Sequence, residues 1–176
     1  MNIKFKLFFI TFLSAQVAFA QLSNNQIATL KVNMVKAVED SKLTDSLFLE
    51  LSKLNHKSPL ILGYIGTLEA LKAKHAWNPY NKIKYVSRSL VTLQKAINLD
   101  GENMEIRFMR FSIEHFTPSF LGFSKDLDVD RKEIIKHYQN KNFGSANEEL
   151  IKNIAKFMVD SNRCTAEELR ILKKYL

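Results

Sequence analysis

From Ser23 onward, apolar residues recur every three or four positions, and no stretch shows the strict alternation of a half-buried strand. Ile27, Leu30, Met34 and Val38 form one stripe behind the polar start Ser23-Asn24-Asn25. Leu43, Leu47, Leu51 and Leu54 form a second behind Ser41. The pattern predicts an all-α chain that opens with a pair of short helices.

A third helix starts at Ser58-Pro59. Leu60, Tyr64, Leu68 and Leu71 line one side of it, while Gly63, Gly66, Ala70 and Ala73 cluster on another. A glycine costs about 1 kcal/mol inside a helix, so two of them point to a place where a neighbouring helix comes close. This segment is therefore the expected central helix. Trp77-Asn78-Pro79 ends it and starts the next, Asn78 being a good N-cap and Pro79 suited to the first helical position. In the fourth helix Ile83, Val86, Leu90, Leu93 and Ile97 make a regular core stripe, closed by Asp100-Gly101.

The fifth helix, residues 105–116, is ended by Thr117-Pro118. Beyond it, residues 119–129 form a loop with Phe120, Leu121, Phe123 and Leu127, expected to fold onto the core. Asp130/Glu133, Ser145/Glu148 and Thr165/Glu168 each match the capping-box pattern, which predicts three more helix starts. The total is about eight helices, arranged as stacked antiparallel helix hairpins in a single domain.

On the fifth helix Ile106, Met109, Ile113 and Phe116 share one side, and Phe108 and Phe111 occupy much of the other. Arg107, Arg110 and Glu114 fall in the remaining sector, about 60° wide at 100° per residue. Two readings follow. In the structural one the strip is an internal ion-pair network, with Arg110 paired to Glu114 four residues on and Glu69 within reach. In the functional one Arg107 and Arg110 line a groove and hold a carboxylate or phosphate bidentately. Unpaired buried charge is expensive, which favours the network.

The first twenty residues place Lys4 and Lys6 before an apolar run, Leu7 to Leu13, and finish on Ala18-Phe19-Ala20, the small-x-small ending of a signal peptide. The expected mature chain is residues 21–176, soluble and periplasmic or secreted, with no transmembrane segment once the leader is removed. The absence of a cysteine after the cleavage site argues against a lipoprotein anchor there. The lone Cys164 has no internal disulfide partner, so packing alone must hold the domain; it reads as a small hydrophobe.

Loss of Lys4 and Lys6 takes two of the 26 basic residues and lowers the formal charge from +8 to +6. The remaining charge is unevenly placed. Between Ala70 and Leu99 there is no Asp or Glu, but there are Lys72, Lys74, Lys82, Lys84, Arg88 and Lys95. Lys84, Arg88 and Lys95 return to one face of the fourth helix. Such a stretch is either a solvated lysine face or a surface for an anionic partner, such as lipid phosphate, an acidic polymer or an acidic protein. Nucleic acid does not fit an exported chain.

Motifs for chemistry are incomplete. Asp126, Asp128 and Asp130 alternate as in a calcium loop, but Arg131 stands where glycine is needed and His137 where the bidentate glutamate belongs, so helix capping by Asp130 is the better account. His56, His75, His115 and His137 lack zinc-ligand spacing. Glu114-His115 has no second histidine, and no glycine-rich phosphate loop is present. These observations point away from an enzyme and call for no cofactor and no metal.

Residues 89–103, SLVTLQKAINLDGEN, resemble the closing helix of a tetratricopeptide repeat: Ser89 and Ala96 stand at its small positions, Leu93 at a large one and Gly101 where it usually has proline. The resemblance implies stacked helix hairpins of the tetratricopeptide type. Residues 63–123, running from GYIGTLEALKAKHAWNPY to FTPSFLGF, also resemble a group of uncharacterised exported proteins from Bacteroidetes bacteria. That likeness implies a Gram-negative periplasm and brings no activity with it.

The expectation is a helical scaffold or binding module for an envelope protein or anionic surface, with Lys74, Trp77, Lys84, Arg88, Lys95, Arg107 and Arg110 as candidate binding residues. The alternative is an enzyme or small-ligand carrier with a pocket between the third and fifth helices, walled by Arg107, Arg110 and Trp77.

Overall fold

Gly63 and Gly66 set the centre of the molecule. A Cβ on Gly66 would stand 2.8 Å from Leu93 Cγ, and one on Gly63 would stand 3.0 Å from Met109 Sδ. One bare patch thus receives the fourth helix and the other receives the fifth, at separations that a side chain on either position would prevent. The computed structural model describes residues 22–54, 58–144 and 146–176. Its helices are α1 (Asn24–Ala37), α2 (Ser41–Lys53), α3 (Pro59–His75), α4 (Pro79–Leu99), α5 (Met104–Phe116), α6 (Leu127–Asn140), α7 (Glu148–Asp160) and α8 (Ala166–Leu172). Two single 3-10 turns, Ser119–Leu121 and Lys173–Tyr175, complete the described elements, and none of these is a strand. The fold is all-α, as the periodicity predicts. The expected leader, His56 and Ser145 with its expected cap lie outside the described residues.

The helix starts follow from local chemistry. Asp40, Asn78, Asn103 and Asn147 each accept a backbone N–H of the first turn with a side-chain oxygen. Ser23/Gln26 and Thr165/Glu168 form reciprocal capping boxes. Pro59 and Pro79 take the first helical position, where a missing N–H costs nothing.

From α2 to α6, consecutive helices pack antiparallel. Asp45 and Ala37 of the first pair meet Lys72 and His75 of α3. Glu69 meets Arg88 and Thr92, and Gly66 meets Leu93, so numbers fall along α3 as they rise along α4. Between α5 and α6, Arg107 meets Asp130 and Glu114 meets Asp126.

The core is divided, and α5 lies at the division. Leu30, Met34, Leu47, Leu51, Ile61, Tyr64, Leu68 and Leu93 pack with Met109 on one side. On the other, Met104 and Phe111 pack with Leu127, Ile134, Tyr138, Ile154, Met158 and Leu172. A third group, Ala96, Ile97 and Ile106, joins α4 to α5. A helix shared by two cores must be apolar on two sides, which accounts for residues 105–116.

Several expected positions differ. The helix expected at Asp130 begins at Leu127, and Asp130 is a fully buried residue of its first turn. Ile83 is exposed instead of core, because its antiparallel counterpart is the very end of α3 and nothing further covers it. Phe116 ends α5 opposite the 117–126 connection and is largely exposed, with edge contacts to its neighbour His115 and to Phe157. Phe120 projects into solvent from its 3-10 turn, so this part of the loop does not fold onto the core.

Candidate functional site

The polar strip of α5 meets one carboxylate. Asp130 accepts from Arg107 Nη1 at 3.0 Å, from Arg110 Nε at 2.6 Å and from Arg110 Nη2 at 2.8 Å. Arg107 Nε also donates to the Gly101 carbonyl at 2.9 Å, and Arg110 Nη1 donates to Gln94 and lies 3.4 Å from Asp126. The network reading of the strip is therefore correct in kind but not in its partners. Glu69 is taken by Arg88 and Thr92. Glu114 accepts from the backbone N–H of Asp126 at 3.0 Å rather than forming an ion pair with Arg110. Burial, together with the Asp126 and Asp130 charges, pushes the Glu114 carboxyl up to about 7 against the lowering effects of that hydrogen bond and of Arg110.

A second buried node joins α1, α3 and α5. Lys31 Nζ lies 2.8 Å from Glu105, and the Tyr64 hydroxyl donates to the same carboxylate. Burial and the neighbouring Glu105 charge raise the Tyr64 pKa, keeping the phenol protonated as a donor. Periodicity alone reads Tyr64 as core and assigns Glu105 no role.

The expected pocket between α3 and α5 is not assembled from Arg107, Arg110 and Trp77. Trp77 precedes the start of α4, whereas Arg107 binds Gly101 just beyond its end. The intervening 21 residues put roughly 30 Å between them at 1.5 Å per residue. The described cavities lie elsewhere. One of about 210 Å³ is lined by Asp100, Glu102, Glu105 and Phe143 among others, and one of about 250 Å³ lies between the first two helices.

The acid-free segment is partly neutralised by acids from neighbouring helices. Lys72 pairs with Asp45, Lys74 pairs with Glu39 at 2.6 Å and donates to the Val38 carbonyl, and Arg88 lies 3.2 Å from Glu69. Lys82, Lys84 and Lys95 are exposed and have no ion-pair partner among the described residues. Lys84, Arg88 and Lys95 do project together, since α4 turns Ser89, Leu93, Ala96 and Ile97 inward. Interleaved with them on the outer side are Tyr80 and Val91, both exposed; Ile83, also exposed, flanks this face on the side of Ile97, and Trp77 stands beside the first turn. Sequence reading named Trp77 as a candidate but missed Tyr80 and Val91. The spacing 80, 84, 88, 91, 95 contains the signal, returning to one face within about 80° at 100° per residue.

The remaining candidates resolve into structural roles. Asp126 and Asp130 both reach Arg110 while Asp128 lies by Arg131, and among the described residues no three metal-ligating side chains converge. His75 bonds the Ala37 carbonyl, His115 meets Arg163 Nε at 2.9 Å, and His137 bonds the Asn142 carbonyl. Cys164 is half-buried against the Met158 carbonyl; burial, assisted by Glu168, pushes its thiol up to about 11, so it carries little thiolate. No helix among the described residues is long and apolar enough to cross a membrane. No family model, curated protein or solved structure matches the chain.

Proposed function

We propose that the protein is an exported helical binding or scaffold module, tetratricopeptide-like in its stacked hairpins, and that the outer face of α4 recognises an anionic partner in the cell envelope. The leader-like pattern of residues 1–20 supports export. The observation that carries the binding assignment is the state of α4 itself: it contains no acid, and its outward Lys84 and Lys95 have no ion-pair partner among the described residues. Arg88 stands between them in register, its side chain half-exposed above Glu69. Arg107 and Arg110 belong to the fold, because Asp130 engages both. Lys74 is secondary, since Glu39 neutralises it. No observation favours an arginine-lined small-ligand pocket.

The test is a triple charge reversal, Lys84→Glu, Arg88→Glu and Lys95→Glu, compared with the unmodified protein for retention on an immobilised anionic polymer such as heparin and for capture of envelope components. Retention should be lost by the variant and should weaken with salt for the unmodified protein, because exposed charges are screened within about 8 Å at physiological ionic strength. Circular dichroism serves as the folding control. Equal retention of the two folded proteins would return α4 to a solvated lysine face.

A further inference from the structure

We infer that the partner of α4 is an anionic phospholipid surface, on which the protein rests side-on with Trp77 and Tyr80 at the level of the headgroups. This rests on the proposed anionic-partner function and specifies its chemistry.

The argument begins with exposure. Trp77 is 97% exposed and Tyr80 72%, although aromatic side chains of this size normally bury most of their surface. They stand within one turn of each other, where the connection from α3 enters α4. Along the same helix Val91 is also exposed, so the outward face sets Tyr80 and Val91 among Lys84, Arg88 and Lys95, with exposed Ile83 at its edge. A polymer recognised only through its charge would need the cations and not the apolar groups between them. A sugar would use the aromatic rings but has little to offer Val91. A lipid interface offers phosphate for the cations and acyl surface immediately beneath it for the apolar groups. Lysine suits this arrangement because its alkyl stem lies along the apolar surface while the ammonium reaches the phosphates.

The inner side of α4 fixes the mode of contact. Ser89, Leu93, Ala96 and Ile97 are buried against α3 and α5, so the helix cannot roll over and sink. The contact is peripheral: a few side chains enter the interface while the fold stays in water. Such binding must depend on lipid charge and on salt.

Trp77 supplies its own reporter, because the chain contains one tryptophan. The natively processed protein would be titrated with vesicles of equal parts phosphatidylglycerol and phosphatidylcholine, and with vesicles of phosphatidylcholine alone. The anionic vesicles should shift Trp77 emission to the blue and allow quenching by brominated acyl chains; the neutral vesicles should do neither. Lys84→Glu/Lys95→Glu should weaken binding by roughly tenfold or more, each cation near such a surface contributing a factor of about five. Tyr80→Ser should weaken it by a smaller factor and leave the charge dependence unchanged. Vesicle binding without a change at Trp77, or equal binding by the folded charge variant, overturns the inference. Retention on heparin with no vesicle binding overturns the lipid assignment alone and leaves an acidic polymer or protein as the partner. Failure of both overturns the anionic-partner reading as well.

Discussion

Asp130→Asn changes one buried atom and should destabilise the domain more than most core truncations of similar size. The native carboxylate, fully buried, accepts three hydrogen bonds from two arginines. Its amide replacement has one acceptor oxygen, removes the charge and turns an NH2 donor toward a guanidinium. Removing one partner of a buried ion pair costs about 3–5 kcal/mol, because the other charge is left stranded. Here the compensation is partial: Arg107 Nε keeps the Gly101 carbonyl, and Arg110 keeps Asp126 at 3.4 Å and Gln94. The expected loss is therefore near the lower end, about 3 kcal/mol, within the roughly 5–15 kcal/mol total of a typical domain. Urea unfolding followed by circular dichroism should show a lower midpoint with an unchanged slope. The double variant Arg110→Met/Asp130→Leu should lose less than Asp130→Asn, since no cation remains at position 110. A shift below about 1 kcal/mol for Asp130→Asn would refute the reasoning. A double variant worse than the single one would show that attraction within the pair, not the stranded charge, carries the energy.

Three further outcomes follow from the packing and charge. Gly66→Leu should cost toward the upper end of the roughly 1–3 kcal/mol typical of overpacking, since even its Cβ meets Leu93 Cγ at 2.8 Å and the Leu93 backbone N at 3.3 Å; an unchanged thermal midpoint would contradict the close α3–α4 contact. Glu114, pushed from 4.5 to about 7, holds a proton in the folded state that the unfolded chain releases at lower pH, so its contribution should fall as pH rises from about 4.5 through 7, by up to the order of 3 kcal/mol; Glu114→Gln should flatten urea midpoints measured across that window, and an equal slope in the variant would assign the dependence elsewhere. Lys31→Met should cost about 1 kcal/mol by leaving Glu105 to Tyr64 alone, a modest value because Lys31 is partly exposed, and a stability gain on mutation would show that desolvation of the pair outweighs its attraction.

Those elements whose signals are local were the legible ones. Caps at Asn78 and Thr165, prolines at 59 and 79, and the bare patch at Gly63 and Gly66 each state in a few residues what the backbone or a neighbour does there. Partner choice was not legible, because it depends on which helix arrives opposite. Arg110 has a glutamate four residues on, yet it turns to Asp130, twenty residues away, because α6 packs antiparallel along α5 and delivers a carboxylate to both arginines at once. The Asp130/Glu133 capping pattern was a false signal for a related reason: polar residues suited to a helix start are also those required where a helix buries one charge. Ile83 and Phe116 show the other limit. Their periodicity is that of a core face, but the face extends beyond the end of the helix that would cover it.

The same consideration decides what the acid-free segment means. A charge imbalance in sequence is real on the surface only after neighbouring elements have been subtracted. The antiparallel path of α2 and the α1–α2 turn brings Asp45 to Lys72 and Glu39 to Lys74, so the end of α3 is neutralised despite its own lack of acids. At α4 the subtraction stops at Arg88, because among the described residues the sole acid reaching it is Glu69 from beneath. Among the described residues no helix packs against its outer side, so Lys84 and Lys95 are left without an acidic partner and Tyr80 and Val91 with their apolar surface uncovered. Cations and apolar groups that no described residue covers, on a helix whose other face is fixed in the core, are the reason for proposing α4, rather than the arginines of α5, as the recognition surface.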